Sequence, residues 1–126
     1  MRKLAITVFI YVVLCISLVG CYYDKELDKE GGGLPTNVSF SSDVQPVFTR
    51  NCALSGCHVS LAVHPLLEAG LSYDALTKGG YVDVIVPTAG ILYQEISEGN
   101  MPPNKPISSR EAGLILGWLS EGAKNN

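Results

Sequence analysis

The run Asn51-Cys52-Ala53-Leu54-Ser55-Gly56-Cys57-His58 sets two thiols five positions apart, with an imidazole directly beside the second. It lies in a chain whose folded part has room for one small domain, and a domain of that size buries only roughly 60 to 70% of its unfolded surface. Extra internal support is therefore valuable, and these three side chains are placed to provide it. Several chemistries are open to them. Outside the cytoplasm such a pair closes a small-loop disulfide, with His58 incidental. A zinc site needs about four ligands, and Cys52, Cys57, His58 and His64 are the available set. A redox-active dithiol ordinarily has a two-residue gap in a βαβ setting, and this sequence has neither.

Composition divides the chain in two. Hydrophobic residues make up 47% of it, but residues 1 to 20 hold 15 of the 59, and the remainder is ordinary for a globular domain. Arg2 and Lys3 open this segment, an apolar stretch runs from Leu4 to Leu14, and Leu18-Val19-Gly20-Cys21 closes it. That is signal-peptide architecture. The stretch is short for a membrane span of about 20 apolar residues, and Thr7 and Ser17 interrupt it, although a retained transmembrane anchor is the alternative. Leu18 to Cys21 resembles the lipobox of bacterial lipoproteins. The resemblance implies that Cys21 carries the lipid and becomes the first mature residue. Cys15 then leaves with the signal, and Cys52 and Cys57 remain as a pair. The expected location is the cell envelope, with the chain lipid-anchored to a membrane and facing the periplasm or the cell surface.

Tyr22 to Val38 alternates charges and then carries Gly31-Gly32-Gly33 and Pro35, a composition unable to bury much. It reads as a flexible tether with a reach of about 20 to 25 Å, the alternative being a charged helix from Tyr23 to Glu30. The expected organisation is a signal over 1–20, a lipidated N-terminus and tether over 21–38, and one domain over 39–126. Without Arg2 and Lys3, seven basic residues face twelve acidic ones, a net charge near −5. That balance argues against a general nucleic-acid binder and favours a basic docking surface on a partner.

Within the domain the signals are helical, and the expected fold class is all-α. Ser42 with Gln45 is a capping-box pattern, with Pro46 tolerated in the first turn, and predicts a helix over 43–51 burying Phe40, Val44, Val47 and Phe48. Ser72 opens a second helix through Lys78, stopped by Gly79-Gly80. A third spans 88–98, with Ile91, Leu92 and Ile96 on one face and Gly99 as the stop. The last starts at the Ser108/Glu111 capping box, carries Leu114, Ile115, Trp118 and Leu119 as its apolar stripe, and ends at Gly122. Tyr81 to Pro87 alternates partly but has no convincing partner strand, so it reads as extended chain packed on helices. Loops occupy much of the middle.

Cysteine pairs that end in Cys-His attach haem, usually with two residues between the thiols. Here the gap is four, and Gly56 is a plausible bend. Haem iron in an electron carrier takes a sixth donor, for which a thioether is suited. Met101 is the one methionine besides Met1, and it stands in Gly99-Asn100-Met101-Pro102-Pro103, a stiff loop between two predicted helices rather than an apolar face. His64 is the rival donor, although Pro65 favours a surface turn there.

From Phe40 to Lys124 the chain resembles a small class I type cytochrome c. The shared features are an N-terminal helix leading into a Cys-His site, a Gly-x-Met-Pro-Pro loop in the second half, and a C-terminal helix carrying Trp118. It is most similar to the lipid-anchored single-haem domains of Bacteroidetes-type bacteria, where a Cys-x4-Cys-His form occurs. The resemblance implies three to four short helices around one covalent haem c, with the terminal helices crossing and Phe48 and Trp118 as packing partners. It implies thioethers at Cys52 and Cys57, with His58 as proximal and Met101 as distal iron ligand. It also implies that the imidazole donates its other N–H to a backbone carbonyl, for which the segment from Leu61 to Leu71 is the candidate. The expected role is then electron transfer by iron cycling between Fe(III) and Fe(II), without enzymatic activity, between redox partner proteins in the envelope. The rival readings are a haem-based sensor or enzyme with a displaceable Met101, and a haem-free interaction lipoprotein with a Cys52–Cys57 disulfide.

Overall fold

The computed structural model describes residues 33–103 and 105–126. The signal segment, Cys15, Cys21 and most of the tether lie outside the described residues. Within them the chain is all-α: no strand forms, and no helix is long and apolar enough to cross a membrane.

The first element is a π-helical turn, Phe40–Val44, running directly into α1, Gln45–Asn51. Ser39 caps it. Its hydroxyl accepts the Ser42 N–H, and its own N–H donates to Asp43 Oδ2 at 2.8 Å. The start thus lies upstream of the Ser42/Gln45 box read from the sequence, because Asp43 reaches back to Ser39 while Gln45 turns inward. Gln45 is buried, and its Nε2 donates to the Leu67 carbonyl at 3.1 Å.

Helix α2 is Ser72–Lys78, with the bounds expected, and Gly80 beyond it takes a left-handed φ of +75°. The third predicted helix divides. Pro87–Ala89 make one 3-10 turn, Gly90 is extended, and α3 is Ile91–Ser97. A Cβ on Gly90 would lie 2.8 Å from the Asp83 nitrogen, so the chain there presses on the preceding segment. Leu92 N–H completes that contact by donating to Tyr81 O at 2.9 Å. Helix α4, Ser109–Ser120, has the predicted box in full, with Ser108 and Glu111 exchanging side-chain and backbone hydrogen bonds.

The core is drawn from these helices. Phe40, Val44, Val47 and Phe48 meet Leu67, Leu76, Ile96, Ile115, Trp118 and Leu119. Phe40 is the hub, its ring 5.0 Å from Trp118, 5.3 Å from Tyr73 and 6.4 Å from Phe48. Trp118 meets the rings of Phe40 and Tyr73, at 5.0 and 6.4 Å, and shares one buried cluster with Phe48. Aromatic side chains of the protein close this part of the interior themselves. Each large apolar side chain so buried contributes about 1.5 to 3 kcal/mol.

Two segments differ from expectation. Packing begins before Ser39: Val38 is buried, and the N–H groups of Asn37 and Val38 donate to the Glu121 carboxylate at 2.6 and 3.0 Å. Gly117 admits this, since a Cβ there would collide with the Pro35 carbonyl oxygen. Between α2 and α3, only Tyr81 and Val82 pack on the core. The Asp83 carboxylate then accepts the N–H groups of Ile85 and Val86, both at 2.8 Å, and this turn leaves Val84, Ile85 and Val86 exposed. Ile91 is also exposed, because α3 begins only at that residue and turns its first side chain outward.

Candidate functional site

Helix α1 delivers the Cys-His run. Cys52 is its C-terminal cap, and the Cys52 and Ala53 N–H groups both donate to Phe48 O at 2.8 Å. The chain then coils back on itself. Cys57 N–H donates to Leu54 O at 2.8 Å, and His58 N–H to Cys52 O at 3.1 Å. Gly56 makes the reversal at φ +79°, a conformation costly for any residue with a Cβ, so the bend falls where the sequence placed it. The next turns continue the winding, with Val63 N–H donating to Cys57 O at 3.0 Å and Leu67 N–H to His58 O at 2.8 Å.

His58 is held by its ring as well as by its backbone. Nδ1 lies 2.9 Å from Pro65 O. A carbonyl can only accept, so in the neutral ring Nδ1 carries the proton and Nε2 keeps the lone pair. The acceptor falls inside the 61–71 segment singled out from sequence, although the residue itself was not. Leu67, which holds the His58 carbonyl, is buried and is fixed in turn by Gln45, whose Oε1 accepts the Ser72 hydroxyl. Glu68 Oε2 closes the outer side by accepting the Ser60 N–H at 2.6 Å and hydroxyl at 2.5 Å.

Cys52 and Cys57 are free thiols, both half-buried. Burial, with added repulsion from Cys57 and Glu111, pushes the Cys52 thiol up to about 11. Such a thiol stays protonated at neutral pH, whereas a zinc ligand or a redox nucleophile is a thiolate. Among the described residues no three His, Cys, Asp or Glu side chains converge on a metal-sized position, so Cys52, Cys57, His58 and His64 do not form a zinc set. His64 itself is exposed.

Met101 stands on the loop after α3, where Gly99 at φ +75° ends the helix and Met101 N–H donates to Glu95 O at 3.0 Å. Its side chain is 39% exposed and takes no part in the core. Cys52, Cys57 and His58 are thus brought into one hydrogen-bonded loop. Met101 belongs to a separate one, and among the described residues no hydrogen bond joins the two.

Glu111 ties this site to α4. Oε2 accepts the Ser108 N–H at 3.0 Å and hydroxyl at 2.9 Å. Oε1 crosses to the end of α1, accepting from Asn51 Nδ2 at 3.2 Å and Arg50 Nη2 at 3.3 Å. Partial burial alone would raise its pKa, but the hydrogen bonds from Ser108, Arg50 and Asn51 outweigh that and hold the carboxyl below its usual range. The sequence marks Glu111 as a cap. Its reach to Asn51, the neighbour of Cys52, is a tertiary contact with no local signal. No protein-family model, curated protein or solved structure matches the chain.

Proposed function

We propose that the chain is a membrane-anchored electron carrier with one covalent haem c, built on a cytochrome c-like arrangement of its helices. The observation that carries this reading is His58, pinned at N, O and Nδ1 by Cys52, Leu67 and Pro65, with the Nε2 lone pair unused by these contacts. The donor set fits the group chemically. Two free thiols flank a four-residue gap, an imidazole follows at once, and a thioether stands on a stiff loop outside the core. Cys52 and Cys57 would hold haem by thioethers, and His58 and Met101 would supply ligands to its iron. Haem c would supply a one-electron iron couple.

The protein's own contribution is positional. The Pro65 carbonyl fixes the tautomer and rotation of the imidazole, an outer hydrogen bond of the kind that orients metal-ligating histidines. Leu67, Gln45 and Ser72 brace that loop against α1 and α2. Cys21 would anchor the chain to a membrane of the cell envelope, where its redox partner proteins would lie. The acidic balance of the domain suits basic docking faces on those partners.

The decisive experiment is a pyridine haemochrome assay on the full chain produced with a haem-maturation system. One haem per chain is expected, and a colourless product would end this reading. The exposure of Met101 favours one second reading, a haem protein in which a small ligand displaces the thioether. Carbon monoxide binding to the reduced wild type separates the two: a carrier with a held Met101 excludes it, and a sensor takes it up. Loss of the far-red charge-transfer band in Met101→Ala is expected for thioether ligation, and its survival would assign the sixth position elsewhere, with His64 the first candidate.

A further inference from the structure

A carboxylate that only capped α4 would need only Ser108. Glu111 does more, because Oε1 spans 60 positions of sequence to the last residues of α1. Asn51 is held twice, its Nδ2 donating to Val47 O at 3.0 Å as well as to Glu111, and Cys52 follows immediately. The two charges at this junction are not equivalent. The Glu111 side chain is 21% exposed and the Arg50 side chain 60%, and a single 3.3 Å contact joins them. Solvent therefore screens the cation more than the anion, and the carboxylate's other partners are neutral N–H and O–H groups.

We propose that Glu111, offset by Arg50, sets the electrostatic field at the Cys52 attachment point and thereby the reduction potential of the group held there. This rests on the haem reading above. Glu111 is a positioning and charge-setting residue, since it touches Asn51 rather than the attached group. A net negative charge beside the site stabilises the oxidised form, which carries one more positive charge, and so lowers the potential.

The test uses two charge-removing variants of the full chain, Glu111→Gln and Arg50→Gln. Glu111→Gln keeps an acceptor oxygen for Asn51, and Arg50→Gln alters a largely exposed side chain. Spectroelectrochemical titration of the haem-loaded proteins should show the midpoint rise in Glu111→Gln, fall in Arg50→Gln, and return towards wild type in the double variant. Loosening of the junction would move both single variants in the same direction, and that result, or no shift in either, would overturn the proposal. A second readout needs no haem. Alkylation of Cys52 in the unloaded chain, resolved from Cys57 by mass spectrometry, should be faster by at least about twofold in Glu111→Gln and slower in Arg50→Gln, following the thiolate fraction. Rates unchanged in both variants would refute the coupling. If the wild type takes up no haem, the electron-carrier reading falls while the alkylation rates still decide whether Glu111 governs Cys52.

Discussion

Trp118, Phe48, Ile115, Leu119 and Val44 are fully buried, whereas Leu54, Leu61, Val63, Ile85, Val86 and Met101, of similar character, are between 39% and 106% exposed. The first set comes from the π-turn, α1 and α4, where side chains at helical spacing share a face. The second comes from the connections, and these are ordered by other means. From Cys52 to Leu67 the chain is held by backbone hydrogen bonds, by the His58–Pro65 contact and by Glu68, with Leu67 the one side chain in the buried core. The comparison separates two tasks. The helices close a core, and the connections hold donor atoms at fixed positions while leaving apolar side chains uncovered around them.

The sharpest way to break this contrast is Trp118→Ala. The ring is fully buried against Phe40 and Tyr73, and Nε1 donates to Lys124 O at 2.8 Å. Truncation removes the packing, leaves a cavity and frees the chain end, and should cost about 3 to 5 kcal/mol in chemical denaturation. A loss below about 1 kcal/mol would mean that the helical half is not the source of stability.

The boundary between the halves is polar, and there the next effect is expected. Ser72→Ala removes the hydroxyl that donates to Gln45 Oε1, leaving a buried acceptor unpaired beside the Leu67 carbonyl. The cost should be about 1 to 3 kcal/mol. Amide exchange should show it as faster exchange at Leu67, whose N–H holds the His58 carbonyl, with α4 less affected. Equal acceleration in both places would show that the loop has no separate support.

How much of this was legible follows the same division. The α4 capping box, the bounds of α2, the Gly56 bend and the buried members of the first and last helices were readable because each depends on a few neighbouring residues. The start of the first helix was misplaced because two overlapping patterns compete there, and the outcome depends on Gln45 finding Leu67 and Ser72 far along the chain. The break at Gly90 arises from its contact with Asp83, again non-local. In the site, the Cys-His run announces itself, and the segment holding the imidazole's acceptor could be named. Pro65 could not, since its role uses a carbonyl that every residue has. The crossing of Glu111 to Asn51 was hidden behind its plain role as a cap.

Glu111 also gives the contrast a pH dependence. Its carboxyl is held below the usual range in the folded chain, so the stabilisation is fully present above the unfolded value near pH 4.5 and is lost as pH falls through the folded value. At pH 7, Glu111→Gln should be less stable than wild type by about 1 kcal/mol, the typical worth of a helix N-terminal cap. That difference should close only once the pH has fallen through the folded value, below the usual carboxylate range, where the wild-type carboxyl is also neutral. Denaturation midpoints at both pH values check this, and a gap that persists in acid would assign the effect to packing rather than charge.

The smallest effect belongs to the exposed side. Ile85 is 89% exposed, on a turn fixed by hydrogen bonds from its own N–H and that of Val86 to Asp83. Nothing in the core touches it, so Ile85→Ser should change folding stability by less than about 0.5 kcal/mol, the ordinary range for a surface substitution. The backbone N–H that holds the turn is kept, so the geometry of the connection should persist. A loss above about 1 kcal/mol would mean that the apolar side chains of the connections are covered by something in the folded protein. Measuring the same substitution with and without haem would then identify the cover: a cost seen only in the loaded protein would place Ile85 against the bound group, and a cost seen in both would place it against the chain itself.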